Sequence, residues 1–211
     1  MSLEDALQEY RSYFDARIER YGAVPEGVDY NGLDAQRTRF EQLAKVIDPS
    51  GAFDLIDYGC GYGALFGFLR QKGWNVTYHG YDMLPKMVRA AREANQDFPN
   101  ADFTDDEAAL RPCDYLIAGA IFNNKFNAPV NEWRDHTLAV LGKMRQLSLK
   151  GFAFNMLTNY SEPERMARRP DLYFADPLFY FDHCKRNYSR DVALLHDYGL
   201  YDFTILVRKQ A

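Results

Sequence analysis

The chain has 211 residues, enough for one α/β domain with a core of its own. With 25 Lys and Arg against 30 Asp and Glu, its formal net charge is -5, and no long basic stretch is present, which argues against nucleic acid or an anionic membrane as partner. The densest cationic run, Arg165–Arg169, reads as a solvated helix face.

The first segment, Leu3 to Arg20, is charged throughout and has no apolar stretch of the kind a signal peptide needs. Its Leu7, Tyr10, Phe14, Ile18 and Tyr21 recur at threes and fours, which predicts an amphipathic helix. The Gly- and Pro-containing stretch Tyr21–Gly32 breaks that helix into a loop or lid. A second helix is expected from Leu33 to Ile47, stopped by Asp48-Pro49. Phe53–Tyr58 is a short apolar run feeding Gly-Cys-Gly-Tyr-Gly and predicts a buried parallel strand. There follow a helix over Ala64–Gln71, a strand over Trp74–Asp82, a helix over Leu84–Ala94 and a weakly marked strand at Asp102-Phe103. A buried strand at Cys113–Ala120, a helix at Trp133–Leu147, a strand at Gly151–Leu157 and a helix at Asp176–Asn187 continue the alternation. The end, Asp191–His196 and Tyr201–Lys209, reads as two strands around a Tyr-Gly turn, too short a connection for a parallel crossover. The fold class is therefore α/β: a Rossmann-like, doubly wound, mostly parallel seven-stranded sheet with an antiparallel last strand, plus N-terminal helices as a lid. Residues 1–50 form the helical cap and 51–211 the ligand-binding domain.

The chemistry centres on Leu55–Leu65. Gly59, Gly61 and Gly63 leave out Cβ atoms where the backbone turns sharply at the carboxyl edge of a parallel sheet, the place where such folds bind ligands. Asp57, at the end of the first strand, suits an ammonium group and would repel a pyrophosphate. Asp82 ends the second strand, where a carboxylate can accept both hydroxyls of a ribose. Asp105 and Asp106 follow the third, within reach of an adenine amino group.

These residues resemble the class I methyltransferase family, which uses S-adenosylmethionine (SAM); the similarity runs from Phe53 to Lys209. LIDYGCGYGAL resembles that family's first motif and implies cofactor contacts from Asp57, Tyr58, Gly59, Cys60, Gly61 and Gly63. Gly80–Met83 resembles the second motif, with Asp82 and Met83 at the nucleoside. Asp105-Asp106 resembles the acidic loop at the adenine, Leu116–Ile121 the strand edge by the methionine, implicating Ala118 and Ile121, and the terminal hairpin the family's reversed last strand. Tyr21–Gly32 resembles a segment found in bacterial members acting on small molecules or sugars. A dinucleotide reading is the competitor: Gly59-x-Gly61-x-x-Ala64 passes a loose fingerprint, but Asp57 and the reversed final strand oppose a nicotinamide-dependent oxidoreductase.

The resemblance implies transfer of a methyl group from SAM, leaving S-adenosylhomocysteine (SAH), to oxygen or nitrogen of a small molecule, a sugar or natural-product intermediate among the options. A non-catalytic SAM-binding scaffold is the alternative from another class. His196, Asn123 and Tyr30 are the catalytic candidates: His196 as a base at the end of the sixth strand, Asn123 (or Asn124) to orient an acceptor, and Tyr30 with Tyr21 and Asn31 from the lid. Arg37 and Arg39 are candidates for the SAM carboxylate. His183 neighbours Cys184 on an expected helix, where adjacent side chains point apart and make no chelating pair, and His136 and His79 read as packed or solvated. The three cysteines, Cys60, Cys113 and Cys184, fit neither a disulfide framework nor a zinc site, so no metal and a cytoplasmic location are expected. A homodimer is left open.

Overall fold

The computed structural model describes residues 2–209, so the expected segments reach beyond it at position 1 and at positions 210–211. The chain starts with α1 (Leu3–Tyr21), capped by Ser2, whose hydroxyl accepts the Asp5 N–H while Asp5 answers to the Ser2 N–H. Gly22 ends it in a positive-φ conformation. A 3-10 turn (Pro25–Val28) leads into α2 (Leu33–Leu43). The second helix stops short of the expected Ile47: a 3-10 turn at Ala44–Val46 tightens its end, and Ile47 is already extended before Asp48-Pro49.

Then strands and helices alternate: β1 (Phe53–Tyr58), α3 (Ala64–Gln71), β2 (Val76–Tyr81), α4 (Pro85–Ala94), β3 (Ala101–Thr104), β4 (Cys113–Ala118), α5 (Val130–Leu147) and β5 (Ser148–Leu157). Two helices, α6 (Pro163–Arg168) and α7 (Pro177–Asn187), precede β6 (Asp191–Leu195) and β7 (Asp202–Arg208). The seven strands form one sheet in the order β3-β2-β1-β4-β5-β7-β6. All neighbours from β3 to β5 are parallel, and β7 runs antiparallel to both β5 and β6. The reversed strand slots between β5 and β6, and the short turn joining β6 to β7 makes that pair antiparallel.

Period-two alternation divides the core between the two sheet faces. Ile56, Leu116, Phe152, Phe154 and Ile205 pack on one side against Trp133, Leu141 and Met144 of α5 and Tyr180 and Cys184 of α7. Leu55, Tyr78, Ile117, Ala153 and Leu206 pack on the other against Leu43, Leu65, Phe66, Leu69 and Val88. The buried Trp133 ring donates its indole N–H to the Phe122 carbonyl at 2.8 Å, which ties the loop after β4 to α5. The amphipathic α1 lies across the strand edge: Leu3, Ala6 and Leu7 join the first core, and Phe14 and Ile18 pack on Leu84 and Met87.

Candidate active site

The β1–α3 turn is built for close approach. At Gly59 the backbone has φ of 83°, its N–H donates to the Tyr81 carbonyl at 2.7 Å, and a Cβ there would lie 2.2 Å from Cγ2 of Ile121. At Gly61 a Cβ would stand 2.8 Å from Val28 of the 3-10 turn after α1. The carboxylate of Asp82 clamps this turn to the next: one oxygen accepts the Gly61 N–H at 2.9 Å and the other the Leu84 N–H at 3.0 Å.

Above the turn lies a cavity of about 400 Å³. The sheet edge supplies Asp57, Gly59, Cys60, Gly61 and Asp82. The loop after β4 supplies Gly119, Ile121, Asn123 and Asn124, and α1, α2 and the segment between them supply Tyr10, Asp29, Tyr30, Asn31 and Arg39. Arg165, Arg169 and Tyr201 come from the β5 side. A second cavity of about 170 Å³ shares Tyr10, Gly59, Asp82 and Ile121 with the first and continues between Tyr58, Tyr81, Met83 and Phe122. Glu107, His136 and Lys143 also line it.

The first cavity is acidic at its sheet edge. Burial pushes the Asp57 carboxyl up to about 7, opposed by the hydrogen bond it accepts from the Tyr78 hydroxyl and reinforced by the nearby Asp82. Burial likewise raises Asp82 to about 6, although the Leu84 and Gly61 N–H groups favour its ionised form. The Cys60 thiol is held protonated well above its usual range by burial and by both carboxylates, so it is no nucleophile. The cation on α2, Arg39, is committed elsewhere: its guanidinium makes a bidentate pair with Asp202 at 2.7 and 2.8 Å and donates to the Ala35 carbonyl at 3.0 Å. Burial also pushes the Tyr30 phenol up, which makes it a hydrogen-bond donor and not a base.

No protein-family model matches the chain. It is 47% identical over 165 residues to "Putative methyltransferase Rv1506c" of Mycobacterium tuberculosis, a match that spans 78% of this chain and 98% of that protein. The chain belongs to the class I SAM-dependent methyltransferase family. Solved methyltransferases share the fold at low identity. The magnesium protoporphyrin IX methyltransferase of Synechocystis PCC 6803, crystallised with SAM, matches with a TM-score of 0.68 at 16% identity over 97% of both chains. The N-methyltransferase NodS of Bradyrhizobium japonicum WM9, crystallised with SAH, matches with a TM-score of 0.65 at 12% identity, covering 95% of this chain and 98% of that one.

In this methyltransferase the structure brings together many of the residues expected from sequence. Asp57, Gly59, Cys60, Gly61, Asp82, Ile121, Asn123 and Tyr30 line the larger cavity, and Tyr58 and Met83 the smaller. Others need correction. His196 lies just beyond β6, the outermost strand; it is exposed against Tyr160 and Phe203 and reaches neither cavity. Asp105 and Asp106 point into solvent because Asp106 caps a 3-10 turn, accepting the Ala108 N–H at 3.0 Å. That turn presents Glu107 to the smaller cavity instead. Burial works against the Glu107 charge, but Lys143, at 2.7–2.8 Å, and the Tyr58 hydroxyl outweigh it and keep it ionised.

Gly63 caps α3 and Ala118 is fully buried in the sheet, so both shape the site from beneath without lining it. Tyr21 is exposed beside Arg17 and Arg20, and Arg37 is exposed and paired with Glu41 at 3.5 Å. Arg39, spent on Asp202, has little left for a ligand carboxylate. Asn123 has a structural duty as well as a cavity face: its side-chain oxygen accepts the Leu157 N–H at 3.0 Å and holds the β4 loop to β5. The cationic run expected to be solvated in fact sends Arg165 and Arg169 to the cavity, while Arg168 stays outside. His136, read as packed or solvated, lines the smaller cavity with its protonation disfavoured by burial and by Lys143.

Proposed function

We propose that the two adjoining cavities hold SAM and that the enzyme moves its methyl group to oxygen or nitrogen of a small molecule, with a sugar or a natural-product intermediate the acceptors to test first. The observation that carries this reading is a pair of buried carboxylates, Asp57 and Asp82, on consecutive strand ends, with no protein cation paired to either among the described residues. A cationic nucleoside fits them. Each oxygen of Asp82 has spent one acceptor site on the backbone and keeps another for a ribose hydroxyl. The smaller cavity, lined by Tyr58, Tyr81 and Phe122, suits a purine, with ionised Glu107 as an acceptor at its side. At Gly59 and Gly61 a side chain would collide with Ile121 and Val28, so only glycine lets these two walls of the cavity close on the turn. When bound, SAM supplies a sulfonium that makes its methyl electrophilic.

The chain's own part is to bind, orient and keep water out. Asp57, braced by Tyr78, offers its charge to a cation. The Tyr30 hydroxyl has no hydrogen-bond partner among the described residues and stands near Gly119, where it can orient an acceptor by donating. Asn123 and Asn124 offer amide groups from the opposite loop. No histidine lines the larger cavity among the described residues, which favours an acceptor that arrives already deprotonated, as a neutral amine does. We read residues 1–50 as a lid over this site. A cytoplasmic location accords with three buried, unpaired cysteines; no described helix is long and apolar enough to cross a membrane.

Calorimetry with SAM and SAH tests the reading, followed by transfer of labelled methyl to a panel of amines, sugars and phenols. Binding of neither compound at ~100 μM overturns it. Tight binding without transfer to any acceptor favours a non-catalytic SAM-binding protein.

A further inference from the structure

The larger cavity has two electrical ends. Asp57 and Asp82 mark its β1–β2 side. On the other side Arg165 stands over Tyr201, whose carbonyl accepts the Thr158 N–H just past the end of β5, and Arg169 lines the same cavity. Arg165 has no carboxylate partner among the described residues; its guanidinium lies over the Tyr201 ring, 3.8 Å from the centroid. Glu164, next to Arg165 in the chain, is exposed and makes no ion pair with it, and the other nearby acids are engaged. Glu162 accepts from the Tyr201 hydroxyl at 3.3 Å, Asp171 pairs with Arg169 at 2.7 Å, Asp29 pairs with Arg17 at 3.2 Å, and Asp202 belongs to Arg39.

A guanidinium stacked on an aromatic ring keeps its in-plane N–H fork available, and that fork matches the two oxygens of a carboxylate or phosphate. Stacking also fixes the fork's plane, so less side-chain freedom is lost when an anion docks. In a chain with net charge of -5, a cation left unpaired on a cavity wall is not a product of general basicity.

Resting on the SAM reading above, we propose that the methyl acceptor carries a carboxylate or phosphate group, received by Arg165 on its Tyr201 platform with Arg169 beside it. The acceptor then spans the cavity, its anion at the β5 side and its nucleophile toward the sulfonium. Arg169 has the lesser share because Asp171 already occupies part of its fork.

The test uses the full-length protein saturated with SAH, titrated with phenyl phosphate, benzoate and benzyl alcohol at ~50 mM salt, where screening is modest. At least one of the two anions should bind, benzyl alcohol more weakly, and the anion preferred identifies the acceptor group. Arg165→Ala should weaken the anion about tenfold or more and Arg169→Ala about two- to threefold. Arg168→Ala, a cation three residues away and outside the cavity, should leave binding unchanged. SAH affinity and the thermal midpoint should stay at wild-type values in all three variants. SAH binding with no anion binding overturns the inference. So does an Arg165→Ala loss matched by Arg168→Ala, which is general charge attraction, or a loss of SAH affinity in Arg165→Ala, which assigns that arginine to the cofactor. Failure of the wild-type protein to bind SAH is a different result and removes the cofactor reading first.

Discussion

Asp82→Asn separates the two jobs of one carboxylate. Its oxygens accept the Gly61 and Leu84 N–H groups at 2.9 and 3.0 Å. Asparagine keeps one oxygen and replaces the other with an NH2 group that faces a backbone donor. One hydrogen bond to a charged acceptor is lost, a destabilisation of about 1.5–3 kcal/mol. The same change removes a buried charge. Raising the carboxyl from 3.8 to about 6 corresponds to about 3 kcal/mol of penalty on the ionised form, all of it relieved at pH 8. The two effects oppose each other, so at pH 8 the thermal midpoint should move by less than about 5 °C. Binding has no such compensation. A ribose hydroxyl loses its acceptor, about 1–3 kcal/mol, and SAH should bind about 5- to 150-fold more weakly. Calorimetry with SAH and a parallel thermal melt, both at pH 8, measure the two quantities. Wild-type SAH affinity in a folded variant refutes the assignment of Asp82, and a midpoint lower by more than ~10 °C refutes the cancellation.

Stability and affinity should respond oppositely to pH. The folded pKa values of Asp57 and Asp82, about 7 and about 6, lie above the unfolded value of 3.8, so the ligand-free protein binds protons that the unfolded chain releases. Their contribution is full below about pH 4 and is lost as pH rises to about 7; chemical denaturation across that window should show a declining unfolding free energy. A bound cation favours the ionised forms, so SAM affinity should rise by about tenfold between pH 5 and 8, and a pH-independent Kd would dispose of the idea. Arg39→Ala leaves Asp202 buried with only Asn155 as a hydrogen-bond partner and should destabilise the fold by about 3–5 kcal/mol, with part recovered by adding Asp202→Asn; a melt unchanged from wild type would contradict this. His196→Ala should leave both SAM affinity and turnover within about twofold of wild type, the range expected of surface changes. A hundredfold drop in turnover would restore His196 as the base.

What the sequence made legible follows the reach of its signals. The β1–α3 unit is local, an apolar run, glycines and an amphipathic octet in succession, and α3 spans Ala64–Gln71 as expected. Asp57 and Asp82 could be placed because a strand's end fixes where its last side chains stand. Asp105 and Asp106 could not, because a short 3-10 turn after β3 rotates the neighbouring Glu107 inward. A helical count would have found more of the smaller cavity: Trp133, His136, Val140 and Lys143 recur at threes and fours on α5 and all line it. Likewise the stripe containing Leu7 and Tyr10 is more than a packing face, since both residues also wall a cavity. Arg165 and Tyr201 lie far apart in the chain, and only tertiary folding beyond β5 stacks them.

The arrangement of charge gives the strongest physical reason to see a ligand site in this cavity. A protein that needed Asp57 and Asp82 only for structure could neutralise them with the nearest cation. Arg39 is at hand: it lies over the Tyr30 ring at 5.1 Å, and Tyr30 in turn feels the charge of Asp57. Yet Arg39 is turned to Asp202 by a bidentate pair, with Asn155 completing the carboxylate's bonds. Two buried carboxylates are left to hydrogen bonds alone, at a cost in stability that rises with pH. Such a cost is relieved by a cation that comes and goes, and the Arg39–Asp202 pair, by occupying the one guanidinium that α2 brings to the cavity among the described residues, keeps the place open for it.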